Sequence, residues 1–364
     1  MDFDKSVNRR NTGCIKWDTV EEDVLPFGIA DMDFELPREV KEEIKKRIEE
    51  TVVGYTFPDQ RIYNAIIKRF KRAYHVEVKK EWIMLISGIV PAFKVIGNMS
   101  KELMINIPNY NMLLDDLNAT TKVLESPLVF DGIRYKMNFE EMEQMITDQT
   151  DTFFLVNPNN PVGKVYSKEE LIELSEFSRK HGLLMVCDEA HCDIVFEGSH
   201  TPLWSVDDYT REHSITLYST GKSYNMAGLP FAFMIIPNEK IREQMNRKIG
   251  APNQLFTAAA VAAYNHCDYW LNECMNYLSD NKDYMENTLA TYFPKAKVAP
   301  LEGTYLMWVD FTAYFEDPYQ EILEKAKVKF NAGTSYHGGK YVRINIATQK
   351  ANLIEAMERI KKIV

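Results

Sequence analysis

The sequence predicts an α/β protein, with a large doubly wound domain around a mostly parallel sheet and a smaller α+β domain after it. Six short runs are apolar at nearly every position: Trp82–Ile86, Leu103–Ile107, Phe153–Val156, Leu183–Cys187, Ile215–Tyr218 and Phe231–Ile236. Strands apolar on both faces belong in a sheet covered by helices on either side. Amphipathic helical stretches separate these runs, which is the alternation of a doubly wound domain. Beyond Tyr292 the character changes to short strands mixed with helices.

In chain order, a first helix starts at Pro37, a favoured first-turn position, and carries Val40, Ile44 and Ile48 on one face. A second runs near Arg61–Tyr74, with Ile62, Ile66 and Phe70 at the same spacing. Ser167 with Glu170 has capping-box spacing, and Asn138 with Glu141 is a weaker version. A long helical region covers about Gln254 to Tyr292. Strands follow at Lys297–Ala299, Tyr305–Phe311 and Tyr341–Ala347, with helices near Pro318–Phe330 and Lys350–Ile363. The expected organisation is an N-terminal segment over 1–40 packing on the small domain, a large domain over 41–280 and a small domain over 281–364, the boundary falling within Cys274–Thr291.

Composition narrows the function. The chain has 364 residues, 45% hydrophobic and 26% charged, which suits about two folded domains. A net charge of −10 argues against a nucleic-acid partner, which needs Lys and Arg in excess. The aromatic residues, 12% of the chain, have no basic groove beside them and read as core and pocket lining. The opening MDFDKSVNRR lacks the apolar core of a signal peptide, and no apolar run reaches the roughly 20 residues a membrane helix needs. Five cysteines (Cys14, Cys187, Cys192, Cys267 and Cys274) form no paired framework, so a cytoplasmic protein with reduced thiols is expected. Cys187, Asp188, His191 and Cys192 do not have zinc-ligand spacing, and no metal is expected.

Four segments carry chemistry together: Asn157-Pro-Asn-Asn-Pro-Val-Gly163, Cys187-Asp-Glu-Ala-His191, Ser219-Thr-Gly-Lys222 and Tyr341-Val-Arg-Ile-Asn345. Each is weak alone. The first can be a turn, an acidic pair after a strand can be a helix cap, and a lone lysine is usually on the surface. Their positions change the odds. Asp188 and Lys222 follow two strands, and ligands bind at the carboxyl ends of strands in open α/β sheets.

Pyridoxal phosphate needs that pair. Its aldehyde requires an amine, and its ring nitrogen requires an anion that keeps it protonated. Lys222 and Asp188 fill those roles. Asn160 and His191 can hydrogen-bond the ring's phenolic oxygen, and Ser219 can bind the phosphate. The turn Ser87–Pro91, with Gly88, Ile89 and Val90, offers backbone N–H groups at a helix start for the same phosphate.

With these residues in hand, the chain resembles fold-type I pyridoxal-phosphate enzymes of the aminotransferase class I/II superfamily. More narrowly, it is similar to the MalY/PatB-type cystathionine β-lyases, or C–S lyases. The likeness runs nearly end to end, through Lys16-Trp-Asp18, Ala30-Asp-Met-Asp-Phe34, Gly54-Tyr55, Ser87–Pro91, Pro108-Asn-Tyr110, Asn157–Gly163, Asp188–His191, Lys222–Leu229, Gly303-Thr-Tyr-Leu306 and Arg343-Ile-Asn345. The Ala-Asp-Met-Asp-Phe run and Lys-x-(aromatic)-Asn-x-Ala-Gly-Leu discriminate most. Where the wider superfamily usually has a phosphate-binding arginine eight residues past the lysine, this chain has Pro230.

The resemblance implies that Tyr110 stacks on the cofactor ring and acts in catalysis. It also implies that Tyr55 reaches the phosphate of a neighbouring subunit, hence a homodimer with shared sites. It further implies that Arg343 clamps the substrate α-carboxylate and that Ala30 contacts substrate. It implies α,β-elimination of L-cystathionine or a related cysteine S-conjugate to pyruvate, ammonia and a thiol, with Lys222 removing the Cα proton. The chain departs from the family at Gly221, where a serine is commoner, at Asn109, and in a shortened Asn98–Leu103 stretch. An aminotransferase shares every step up to the loss of the thiolate, and no residue decides that branch. A regulatory protein retaining the fold is a third reading, against which the complete set Lys222, Asp188, Asn160 and Arg343 speaks.

Overall fold

A computed structural model describes residues 1–50, 52, 54–245 and 249–364. Its main sheet has seven strands: β1 (Ile83–Ile86), β2 (Glu102–Ile107), β3 (Lys122–Pro127), β4 (Thr150–Val156), β5 (Leu184–Asp188), β6 (Ser214–Ser219) and β7 (Ala232–Ile235). They lie in the order β1-β7-β6-β5-β4-β2-β3. Every pairing is parallel except the two made by β7, which runs against both β1 and β6. The other six strands therefore point the same way, and their carboxyl ends share one edge.

The main helices are α1 (Arg38–Glu50), α2 (Gln60–Tyr74), α3 (Val90–Met99), α4 (Asn111–Asn118), α5 (Lys168–His181), α6 (Gln254–His266), α7 (Asp268–Tyr292) and α8 (Lys350–Lys361). Alternate residues of one strand serve opposite faces. Phe154 and Val156 of β4 join a cluster with Phe93 of α3 and Leu113 of α4, whereas Phe153 and Leu155 join Leu171 and Leu174 of α5. Both faces are covered, which is why these strands are apolar throughout. Helix α5 starts at a complete capping box, Ser167 with Glu170, and ends at Gly182 in the left-handed conformation.

A second, antiparallel sheet contains β8 (Lys297–Val298), β9 (Leu306–Asp310), β10 (Asn331–Ala332) and β11 (Val342–Asn345), in the order β8-β9-β11-β10. The N-terminal segment reaches it: Leu25–Pro26 pairs in parallel with Val328–Lys329. Helix α7 runs unbroken through the expected boundary at 280.

The structure departs from or refines the sequence reading in four places. Strand β3 has no apolar signature, for it is an edge strand of mixed character, Lys-Val-Leu-Glu-Ser-Pro, only one residue of which is buried. The expected helix over Pro318–Phe330 is α-helical only to Glu321 and π-helical to Ala326; Lys327 then turns left-handed at φ 54° and the chain becomes extended. The long region Gln254–Tyr292 is two helices, broken at Cys267. Ile48 does not share the buried face of α1, for Val40 is buried while Ile48 is 51% exposed.

Phe70 on α2 shows how the helical layer is held. It is buried, and its ring meets Tyr74, Trp204, Tyr218 and Phe233. Phe70→Ala leaves a cavity and is expected to cost about 3–5 kcal/mol of stability, measured by denaturant unfolding.

Candidate active site

Asp188 ends β5, in register with Leu217 of β6, and Lys222 lies three residues beyond the end of β6 at Ser219. Adjacent parallel strands thus deliver the carboxylate and the amine to one edge of the sheet. Loops after β1, β2 and β4 bring Ser87–Val90, Tyr110 and Asn160 to the same edge.

The end of β5 is fixed from behind. Glu189 is buried; it accepts from the Leu203 N–H at 2.8 Å and meets His200 Nε2 at 2.8 Å. Side chains alternate along a strand, so anchoring Glu189 behind the sheet leaves Asp188 facing the site. Asp188 Oδ1 accepts from the Ala190 N–H at 2.9 Å, and among the described residues the carboxylate forms no ion pair. Burial pushes its pKa up to about 6, which the Ala190 N–H and the positive charge of Lys222 only partly offset. The ionised carboxylate therefore opposes folding at neutral pH, an opposition that sets in as pH rises from the usual carboxylate range through 6, and a cation bound against it would relieve that.

Lys222 sits in a short helical turn, Thr220–Ser223, capped by Ser219. Its Nζ donates to the Ala30 carbonyl oxygen at 2.6 Å. Burial lowers its pKa to about 8, and the nearby Arg343 charge pushes the same way. A reactive amine results. Modification of Lys222 by a small aldehyde, followed by peptide mapping, is expected to accelerate as pH rises through about 8, whereas an ordinary lysine has a pKa of 10.5.

Arg343 lies on β11, buried, with its guanidinium carbon 4.8 Å from the centre of the Tyr336 ring. It donates to Asn160 Oδ1 at 2.8 Å and to the Gly28 carbonyl at 2.6 Å, so the second sheet closes onto the edge of the first. Among the described residues its buried Nε has no hydrogen-bond partner, nor does Nδ1 of His191, whose ring lies edge-on to Tyr305 at 5.6 Å. Burial lowers the His191 pKa well below its usual value, so the imidazole is neutral. Two unsatisfied donor or acceptor atoms in one buried site are what an absent polar ligand would leave.

Tyr110 precedes α4, and burial raises its hydroxyl pKa to about 12, with the Asp188 charge acting in the same direction and Arg343 against it. Asn109 Oδ1 accepts from the Tyr110 N–H at 2.7 Å, which gives the unexpected Asn109 a structural task. Gly88 and Ile89 lead into α3 and Val90 is its first residue, where first-turn N–H groups have no intrahelical acceptor. Ser219 differs from the expected phosphate contact. Its hydroxyl accepts from the Gly221 N–H and donates to the Phe231 carbonyl, both at 3.0 Å, so it is engaged within the turn. Tyr55 is fully exposed and touches none of these groups.

Ala30 is at the site, but through its carbonyl. It belongs to a strap, residues 28–34, whose carbonyls are held by site side chains. Asn345 Nδ2 donates to the Ile29 and Asp31 carbonyls at 2.6 and 2.7 Å. Asn225 Nδ2 donates to the Met32 and Phe34 carbonyls at 3.0 and 2.8 Å, while its Oδ1 accepts from the Met32 N–H. Asp33 anchors the strap below, accepting from Lys16 Nζ, Trp17 Nε1 and Arg9. The motifs in which Asn225 and Asn345 stand do not by themselves assign either a task. A partly or wholly buried asparagine needs partners, and that was the available signal.

A family model described as aminotransferase class I and II matches residues 22–360. Cystathionine beta-lyase PatB of Bacillus subtilis (strain 168) is 32% identical, covering 99% of each chain. The crystal structure of cystalysin from Treponema denticola, which contains a pyridoxal 5′-phosphate cofactor, superposes with a TM-score of 0.95 at 29% identity, covering 100% of this chain and 98% of that one. That of the pyridoxal-phosphate-bound C–S lyase from Staphylococcus hominis gives a TM-score of 0.93 at 28% identity, with 100% and 98% covered. No helix among the described residues is long and apolar enough to cross a membrane, and no cluster there can hold a metal ion.

Proposed function

Because the chain belongs to the aminotransferase class I and II family, we propose that it is a pyridoxal-phosphate-dependent carbon–sulfur β-lyase, acting on L-cystathionine or a related cysteine S-conjugate. The observation that carries this reading is the meeting of a half-buried lysine, its amine of lowered pKa, with a buried carboxylate that has no ion-pair partner among the described residues, beside nitrogens of His191 and Arg343 that lack hydrogen-bond partners there.

These residues fit the cofactor. Lys222 would hold its aldehyde carbon, Asp188 its ring nitrogen, and Asn160 and His191 its phenolic oxygen. Tyr110 would lie against the ring. The amides of Gly88, Ile89 and Val90, with Ser219 after rotation of its hydroxyl, would take the phosphate. When bound, the cofactor supplies an electron sink for the pair left at Cα.

The protein does the rest. Arg343 binds the α-carboxylate in a bidentate pair, which its planar fork suits, and Ala30 flanks it. Lys222 Nζ, neutral above about pH 8, takes the Cα proton. Asp188, ionised, holds a proton at the ring nitrogen. Walls of buried side chains keep water from Cα while the β-thiolate leaves; pyruvate and ammonia form afterwards by hydrolysis. Exposed Tyr55 supports a homodimer in which each copy completes its partner's phosphate site. The unpaired cysteines fit a cytoplasmic enzyme, and the 1–40, 41–280 and 281–364 division describes its working parts.

Incubation with cystathionine and no keto-acid acceptor tests the assignment. Sustained release of thiol and pyruvate supports it. A reaction that stops after one turnover and resumes with a keto acid identifies an aminotransferase instead.

A further inference from the structure

Tyr305 is wholly buried, and no step described above uses its hydroxyl. That hydroxyl donates to the Ala30 carbonyl at 3.0 Å, and the same oxygen accepts from Lys222 Nζ at 2.6 Å. A carbonyl oxygen has two lone pairs, so one donor occupies each.

The backbone leading into Tyr305 is tightly constrained. A Cβ on Gly303 would stand 2.6 Å from Val165 Cγ2 and 2.9 Å from the Ile194 carbonyl oxygen. Thr304 adopts φ 66°, a left-handed conformation that β-branched residues rarely take. It is held there by its N–H bond to the Ile194 carbonyl, while the Tyr305 carbonyl accepts from the Ile346 N–H, both at 2.9 Å. Such strain persists where surrounding structure over-determines it, and it concentrates at functional sites. Here it aims one ring between His191 and the strap. The other strap carbonyls from Gly28 to Phe34 are held by arginine, asparagine or glutamine side chains. Ala30 offers its carbonyl to an amine.

We propose that Tyr305 is a positioning residue for Lys222: its hydroxyl pins the Ala30 carbonyl, which holds one N–H of the amine and so turns the nitrogen lone pair into the site. The proposal rests on Lys222 being the cofactor-bearing amine. A neutral primary amine has two N–H groups and one lone pair, and only the lone pair can attack a carbonyl carbon or take a proton. Rotation about the Cε–Nζ bond spreads that lone pair over several directions. Fixing one N–H removes most of them, which changes a rate and leaves the binding of an unreactive ligand alone.

Tyr305→Phe keeps the ring and removes the hydroxyl. Two measurements on cofactor-free protein separate positioning from bulk structure: the rate at which added pyridoxal phosphate becomes covalently held, read as its visible band, and the equilibrium affinity for pyridoxine 5′-phosphate, which carries an alcohol in place of the aldehyde. Tyr305→Phe is expected to slow attachment about tenfold while the analogue's affinity stays within about twofold. An unchanged attachment rate overturns the proposal, and so does a parallel fall in both quantities, which is what a merely structural role produces.

Asn225→Gly loosens the same strap from its other side at a position, φ 54°, that glycine tolerates. It is expected to slow attachment in the same manner, with the analogue's affinity again within about twofold, and it decides the matter if Tyr305→Phe does not fold: slowed attachment supports the proposal that the pinned Ala30 carbonyl positions Lys222, and an unchanged rate overturns it. A wild-type chain that never develops the band contradicts the cofactor reading itself, and the role of Tyr305 falls with it. Failure of the Tyr305 proposal alone leaves wild-type attachment normal.

Discussion

Lys222→Ala is expected to lower lyase turnover by about 10⁴-fold, the upper end of what a positioned general base contributes. The size follows from the setting. The amine is neutral above about pH 8, belongs to a half-buried side chain, and has one N–H already committed to Ala30. Among the described residues the buried lysines are all committed to carboxylates, Lys16 to Asp33, Lys164 to Glu170 and Lys282 to Glu286 and Glu197. The variant should also lose the visible band of covalently held cofactor while still binding pyridoxine 5′-phosphate. Measuring kcat and the absorption spectrum on the same preparation checks both, and residual turnover within tenfold of wild type would contradict the assignment.

Asp188→Asn carries the second largest effect. A neutral amide cannot hold a proton on the ring nitrogen by charge, so stabilisation of the developing negative charge is lost. Removal of one preorganised electrostatic partner typically costs about 10²–10³ in kcat, and the same is expected here, with little change in KM. Stability should move the other way. A buried carboxylate whose pKa is raised to about 6 opposes folding at pH 7, so the cofactor-free variant should unfold no earlier than cofactor-free wild type. Steady-state kinetics and thermal unfolding at pH 7 read the two effects, and a variant both less stable and fully active would refute this account of Asp188.

Much of the architecture was legible because central parallel strands must be apolar on both faces. β2, β4, β5 and β6 announce themselves that way. β3 does not, because at the sheet edge only one of its residues is buried and its composition approaches that of a loop. The break at Lys327 was equally hidden, since a lysine in left-handed conformation leaves no mark in the hydrophobic pattern.

The site divides along a similar line. Lys222, Asp188, His191 and Asn160 were readable because a titratable or amide side chain at the carboxyl end of an apolar strand stands out. The strap was less so, because its working groups are backbone carbonyls, which look alike in every residue. Ala30 was expected through its resemblance, but nothing in the sequence says that its carbonyl would face the lysine. Tyr305 was hidden for another reason. A tyrosine opening an apolar strand reads as core, and only the position of its hydroxyl shows otherwise.

The most direct test is to reduce the protein with borohydride in the presence of pyridoxal phosphate and map the modified peptide by mass spectrometry. The account predicts one stoichiometric adduct, on Lys222. An adduct spread over surface lysines, or placed on any other single lysine, would contradict it.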